Sequence, residues 1–318
     1  MLKLDGKIEF QNKRNDVLAV GEILIDMISA DYDDDFEGDT YHKFFGGAPS
    51  NIAINVRKLG IQSLVASAVG NDGFGSFLLK KLSQADIDTR YIQQVGYSTS
   101  MVVVTKSKAS PIPIFYRGAD YHLEYSPRIE EAVLNSKIVH FSCWPISMEP
   151  VRQTIEKVIE VARENQILVG FDPNYHPMIW QKGQDGVEYV KSIISMVDIV
   201  KPSEDDAERL FGKDTYHNQI DKFLDLGAKL VVMTLGKEGA IISNGKETIK
   251  LDSLATEVVD TTGAGDAFWS GFYTALVGGY EIREALNLGF AVSAYKLKHM
   301  GAVVNFPKLE EIKELYKL

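Results

Sequence analysis

The sequence predicts an α/β fold with a mostly parallel central sheet and helices on both faces. Two patterns carry this expectation. From residue 138 onward, strand-like and helix-like segments alternate, which is the rhythm of parallel βαβ units. The strand segments are near-continuous apolar runs, as expected where both faces of a sheet are covered. The length of 318 residues fits two domains or one α/β domain carrying an insertion.

The first strand is expected at Val17–Ile25, within VLAVGEILID. Residues 31–45, acidic and then aromatic, interrupt the regular pattern as an excursion. Ile52, Val56 and Leu59 at helical spacing predict a helix from Ser50 to Leu59, stopped by Gly60. A strand follows at Ser63–Val69. Residues 98–118 hold two β-rich segments around a polar, proline-containing turn and read as a hairpin. Strand Ile138–Ser142 then leads to a helix with Val151, Ile155, Val158, Ile159 and Ala162 on one face. Strand Ile167–Asp172, a helix around Gly186–Ser195, and strands Val197–Lys201 and Lys229–Thr234 complete the alternation. Ligands of such sheets sit beyond the carboxyl ends of the strands.

Apolar residues make up 45% and charged residues 25%, an ordinary globular balance with ample core. The net charge of −10 argues against nucleic acid as a partner, since such proteins carry a basic face. Cys143 is the one cysteine, so no intrachain disulfide forms, which fits a reducing, cytoplasmic setting. There is no signal-peptide pattern and no apolar run of membrane-spanning length.

The most informative stretch is VVDTTGAGDAFWSGFYTAL, Val258–Leu276. Phe268, Phe272, Ala275 and Leu276 share a helical face, and Gly278-Gly279 ends the helix, which therefore begins near Gly263–Gly265. Small residues there leave backbone N–H groups uncovered, and with the helix dipole they make an anion site. Asp266 places a carboxylate beside that site. This makes chemical sense if it takes the proton of an attacking hydroxyl while the amides stabilise a transferring phosphoryl group. A capped, closely packed helix is the alternative for a bare GxGD. Asp260, Thr261 and Thr262 just before it favour the functional reading.

VDTTGAGDAF resembles the C-terminal signature of the ribokinase-like, or PfkB-type, carbohydrate kinases, and the resemblance spans nearly the whole chain. GEILID (21–26) looks like that family's first strand, and GGAPSNIAINVRKLG (46–60) like its N-terminal signature. GNDGFG (70–75), FYRGAD (115–120), FDPNYHPMIW (171–180), VKPSEDDAERLFG (200–212) and TLGKEG (234–239) follow in the family's order. Within that family the chain resembles bacterial fructokinases.

The resemblance implies a ribokinase-like fold with a small β-sheet lid. The lid would comprise 31–45 and 98–118, and the large domain 1–30, 46–97 and 119–318. It implies Asp266 as base, with Gly263, Ala264 and Gly265 as the anion hole. Asp26, Gly46, Gly47, Asn51, Arg117 and Asp172 would bind sugar. A turn cap for Asp26, a tight turn for Gly46-Gly47 and a solvated lid arginine for Arg117 are the alternatives. ATP would use Lys201, Ser203, Thr234, Gly236, Gly239, Gly263, Gly265 and Asn287. An ordinary strand-to-strand turn is the alternative for TLGKEG. The lid excludes water, a competing acceptor, and would also make a homodimer contact.

Where relatives carry Asn-x-x-Glu, this chain has Ser203-Glu204-Asp205-Asp206. Asp206 would help hold Mg²⁺ through water, and Asp260 would belong to a monovalent cation (K⁺) site. His176 stands where relatives carry Arg and has no assigned role. The absence of GxxxxGK[ST] excludes a P-loop kinase, and no GxGxxG follows the first strand. The expected function is therefore an ATP-dependent sugar kinase, with fructose as the first acceptor. The runner-up is 2-keto-3-deoxygluconate, whose carboxylate Arg117 would pair. Phosphorylated sugars rank lower because segment 31–45 is acidic. From a different class, a catalytically silent sugar- or ATP-sensing module fits less well with an intact Asp266.

Overall fold

Gly21 divides the apolar run that the sequence reads as one strand. In the computed structural model, which describes residues 2–32, 36–106, 113–181 and 183–318, strand β1 (Asn15–Val20) enters the central sheet. The chain then turns, and β2 (Leu24–Tyr32) leaves for a second, smaller sheet. The burial of the two halves differs accordingly. Val17 to Val20 are completely buried, whereas β2 starts buried at Leu24 and Ile25, is mostly half-buried from Asp26 on, and ends exposed at Asp31 and Tyr32. The small-sheet segment thus begins at Leu24 rather than at residue 31, and Asp26 lies within it.

The remaining strands are β3 (Tyr41–Gly46), β4 (Ser63–Gly70), β5 (Ile92–Val95), β6 (Met101–Lys106), β7 (Ile114–Tyr116), β8 (Ser136–Ser142), β9 (Leu168–Asp172), β10 (Ile199–Val200), β11 (Leu230–Thr234), β12 (Ala240–Ser243) and β13 (Thr248–Leu251). The central sheet has the order β13-β12-β11-β10-β9-β8-β1-β4-β5. It is parallel from β11 to β5, and β12 and β13 close one edge antiparallel. The small sheet has the order β3-β2-β6-β7. The hairpin expected in 98–118 is present as the antiparallel pair β6–β7, while its turn residues 107–112 lie outside the described residues.

Helices cover both faces of the central sheet. One core layer packs Leu18, Val139, Val169 and Val231 against helix Val151–Glu164, with Val158 and Ile159 among its buried residues. The other packs Val17, Ile138, Leu168 and Val232 against helices Ala264–Val277 and Ile282–Leu297. Each inner strand therefore buries both faces, which is why its sequence is apolar without alternation. Ser142, Asp172 and Thr234 end β8, β9 and β11, Lys201 directly follows β10, and Asp172 and Lys201 lie beside Gly265 at the start of helix Ala264–Val277.

Candidate active site

Helix Ala264–Val277 starts on a turn that only glycine satisfies. Gly263 is its N-cap at φ 74°, and a Cβ there would lie 2.5 Å from that of Ala302. No side chain caps this end. The Ala264 amide donates to the Thr261 carbonyl at 3.1 Å, so it is not a free donor as the sequence suggests. The tight turn consumes it. The Gly263 and Gly265 amides make no hydrogen bond among the described residues, and they remain as donors for an anion.

Asp266, in the first turn of this helix, accepts a hydrogen bond from Asn51 Nδ2 at 2.9 Å. Asn51 comes from helix Ala48–Lys58, N-capped by Gly47, whose carbonyl accepts the Asn51 amide. Asn51 Oδ1 is buried with no partner, an acceptor that a ligand hydroxyl satisfies. Burial pushes the Asp266 carboxyl up to about 7. The Asn51 hydrogen bond and Lys201 oppose this, and Asp172 and Asp26 reinforce it. Asp26 makes no side-chain hydrogen bond among the described residues, and burial pushes it up to about 6. The absence of a side chain at Gly46 makes room for it: a Cβ there would meet Asp26 Oδ2 at 2.2 Å.

Asp172 Oδ2 pairs with Lys201 Nζ at 3.0 Å and accepts Trp269 Nε1 at 2.9 Å. Both groups border the anion site. A Cβ on Gly265 would lie 3.4 Å from Lys201 Nζ and 3.8 Å from Asp172 Oδ2. The ammonium thus stands beside the open amides. Asp172 sets the position of Lys201 through Oδ2. Ser203 bridges to Thr234 between neighbouring strand ends. Gly236 and Gly239 bound the short turn after β11. Asn287 donates to the Arg283 carbonyl within its own helix and shares no hydrogen bond with the other candidates.

Three sequence assignments meet a different environment. Arg117 is buried in the wall, paired with the fully buried Asp120 at 2.6 Å, and donates to Ser147 Oγ at 2.6 Å and to the Trp144 carbonyl at 3.3 Å. It is neither a solvated arginine nor a free partner for an anionic substrate. Asp206 is likewise spent. Its Oδ2 accepts the Ser203 amide and hydroxyl and its Oδ1 the Tyr175 amide at 2.6 Å, in a capping box for helix Glu204–Phe211. Among the described residues no group of three or more His, Cys, Asp or Glu is placed to hold a metal. Asp260 accepts the Thr262 and Gly301 amides through its carboxylate, and its carbonyl accepts the ammonium of Lys296 at 2.6 Å. The residues present do not fit a K⁺ ion at that carbonyl.

Sequence reasoning missed Glu22, Asp120 and Lys296. Glu22 accepts the Ala48 amide through Oε1, while its Oε2 is buried without a partner. A glutamate inside the apolar run of the first strand was the available signal. A surface hollow lined by Arg152, Trp180, Gly186 and Tyr189 shares none of the site residues.

The chain matches the model of the pfkB family carbohydrate kinases over residues 14–309. It belongs to that family. A pfkB relative from Thermoanaerobacterium thermosaccharolyticum, named ATP-dependent 6-phosphofructokinase, is 62% identical over 100% of this chain and 99% of its own length. The structure of a fructokinase from Halothermothrix orenii has a TM-score of 0.78 at 41% identity, covering 86% of this chain and 97% of that one. A sugar kinase of Pyrococcus horikoshii, solved with ATP, has a TM-score of 0.82 at 30% identity, covering 94% of this chain and 97% of its own. No helix among the described residues is long and apolar enough to cross a membrane.

Proposed function

We propose that this carbohydrate kinase transfers the γ-phosphoryl group of ATP to a hydroxyl of a ketohexose, with fructose 6-phosphate as first acceptor and fructose as second. The carrying observation is the juxtaposition of Asp266, pushed up to about 7, with the unpartnered amides of Gly263 and Gly265. A carboxyl at that value is ionised in part near neutrality and still basic enough to accept a hydroxyl proton. Asp266 takes that proton as the sugar oxygen bonds to the γ-phosphorus. The bond from the γ-phosphorus to the β,γ-bridging oxygen breaks, and ADP leaves with its electron pair. The two amides and Lys201 stabilise charge on the transferring group. Asp26 and Asn51 Oδ1 hold sugar hydroxyls beside Gly46. Mg²⁺ would accompany the nucleotide as part of the co-substrate.

The preference for fructose 6-phosphate rests on the full-length relative at 62% identity. Fructose rests on the fructokinase structure at 41%. The acidic 31–45 segment argued for the unphosphorylated sugar, but an acidic stretch elsewhere on a lid does not set the charge at the far end of the sugar. The buried Arg117–Asp120 pair removes the reason to favour 2-keto-3-deoxygluconate. An ADP-release assay over fructose 6-phosphate, fructose, 2-keto-3-deoxygluconate and ribose tests the reading. The highest kcat/KM is expected with fructose 6-phosphate. Preference for an acid or an aldose overturns the ketohexose assignment, and no turnover with any sugar favours a sensing module.

A further inference from the structure

Lys296 is the one lysine whose side chain is completely buried among the described residues, and nothing in the phosphoryl-transfer reading above uses it. It lies on helix Ile282–Leu297, which packs against helix Ala264–Val277. Its Nζ donates to the Asp260 carbonyl at 2.6 Å and stands 3.6 Å from Asp260 Oδ2. The order of these distances matters. An ordinary ion pair aims the ammonium at the carboxylate. Here the carboxylate is committed elsewhere, with Oδ1 accepting the Thr262 amide at 2.9 Å and Oδ2 the Gly301 amide at 2.7 Å. The ammonium is left with the peptide oxygen. One turn earlier on the same helix, Ser293 Oγ donates to the Ala264 carbonyl at 2.9 Å. Ser293 and Lys296 thus clamp two carbonyls on either side of Gly263, the N-cap of the anion site.

We propose that Lys296 is a built-in monovalent cation, a positioning residue whose ammonium holds the 260–263 turn from behind, so that this kinase needs no K⁺. An ammonium is a compact point charge that takes oxygen ligands, and it fills the place at the Asp260 carbonyl that a free ion would need. A cation fixed behind the turn also adds positive potential at the amides in front of it, in a region poorly screened by water. Burial pulls the Lys296 pKa down, while Asp260 and Asp266 favour its charged form. With both carboxylates close by, a cation here is partnered rather than isolated. The inference rests on the kinase reading for its catalytic consequence, but its structural content does not.

The test compares the wild-type chain with Lys296→Met and Lys296→Ala in tetramethylammonium buffer, with and without K⁺ or NH₄⁺. It measures kcat, acceptor KM, ADP affinity by calorimetry, and Tm. Wild type is expected to show no response to K⁺ in any of the four. Lys296→Met should lose ~10-fold or more in kcat, with acceptor KM within about twofold, as for a displaced reacting geometry. Lys296→Ala, which leaves room for an ion, should gain Tm and ADP affinity when K⁺ or NH₄⁺ is added. K⁺ activation or K⁺-dependent ADP binding in wild type overturns the inference, as does a Lys296→Met variant equal to wild type in kcat and ADP affinity. If neither variant folds, the wild-type K⁺ response alone decides. If no sugar is phosphorylated, ADP affinity and Tm still read the ion response, so the two readings fail separately.

Discussion

Asn51 Nδ2 lies 2.9 Å from Asp266 Oδ2, joining residues 215 positions apart in sequence. Through this bond the helix after the glycine pair orients the carboxylate that begins the phosphate-facing helix. The asparagine has spent its donor on the acid, so its buried Oδ1 can only accept. A sugar hydroxyl donating to Asn51 Oδ1 spends its single proton there, so the hydroxyl that Asp266 would deprotonate is a different one on the same sugar.

Asp266→Asn should therefore lower kcat by at least ~100-fold, the scale of losing a general base, while ADP affinity in calorimetry stays close to wild type. In the wild type kcat/KM should rise with pH and level off above about 7, because only the ionised carboxyl accepts a proton and burial sets its value there. A flat profile over roughly pH 5.5 to 8.5, the window around a group near 7, would remove Asp266 from the mechanism.

Glu22 gives a stability prediction of opposite sense to an ordinary surface acid. Burial pushes it up to about 8 from an unfolded value near 4.5, with Asp120 adding to the effect and Arg117 and the Ala48 amide opposing it. Its folded-state value is raised, so its contribution to stability is complete below the unfolded value. That contribution is lost as pH rises through about 8. Glu22→Gln keeps the shape and removes the ionisation. Its Tm relative to wild type should increase steadily between those two values, as measured by thermal melts across the range. A difference independent of pH would show that Glu22 ionises in the folded chain as readily as in the unfolded one.

Arg117→Ala should act on stability rather than on sugar binding. Truncation leaves the fully buried Asp120 without its cation, which costs about 3 kcal/mol in comparable buried pairs. Chemical denaturation measures the loss, and the added substitution Asp120→Asn should recover part of it. Acceptor KM should change by less than about twofold, as for a residue outside the contact set. A large rise in KM with unchanged stability would return Arg117 to the substrate.

The central sheet was legible because its strands must be apolar on both faces, a requirement visible in a single sequence. The start of helix Ala264–Val277 was legible because Gly278-Gly279 marks its end and small residues precede its apolar face. The Gly21 break was not. An apolar run carrying a glycine and a glutamate reads as one strand unless something indicates that its second half leaves for another sheet. Lys296 was hidden for a related reason. In SAYKLKHM, residues 293–300, it looks like the charged end of an amphipathic helix, and only its distance to the Asp260 carbonyl shows that the charge points inward. Arg117 and Asp206 were found by pattern, but their hydrogen-bond partners in the fold were not. A motif gives residue type and order, and it does not reveal that Asp120 or the Ser203 and Tyr175 amides have already taken the side chain.

Asp206 supplies the last prediction. Its two oxygens accept three donors, from Ser203 and Tyr175, so it fastens the start of helix Glu204–Phe211 to the segment after β9. Burial raises its pKa, with Asp172 adding and the Ser203 and Tyr175 donors opposing. Asp206→Ala should cost roughly 1–2 kcal/mol in denaturant unfolding, the range for a lost N-terminal cap, and more where the Tyr175 amide is left buried without an acceptor. The dependence of turnover on Mg²⁺ concentration should keep its midpoint, since Asp206 directs both oxygens to the Ser203 and Tyr175 donors. A midpoint shifted tenfold or more, corresponding to about 1.4 kcal/mol of lost ion affinity, with stability unchanged would show that the capping box opens when nucleotide binds.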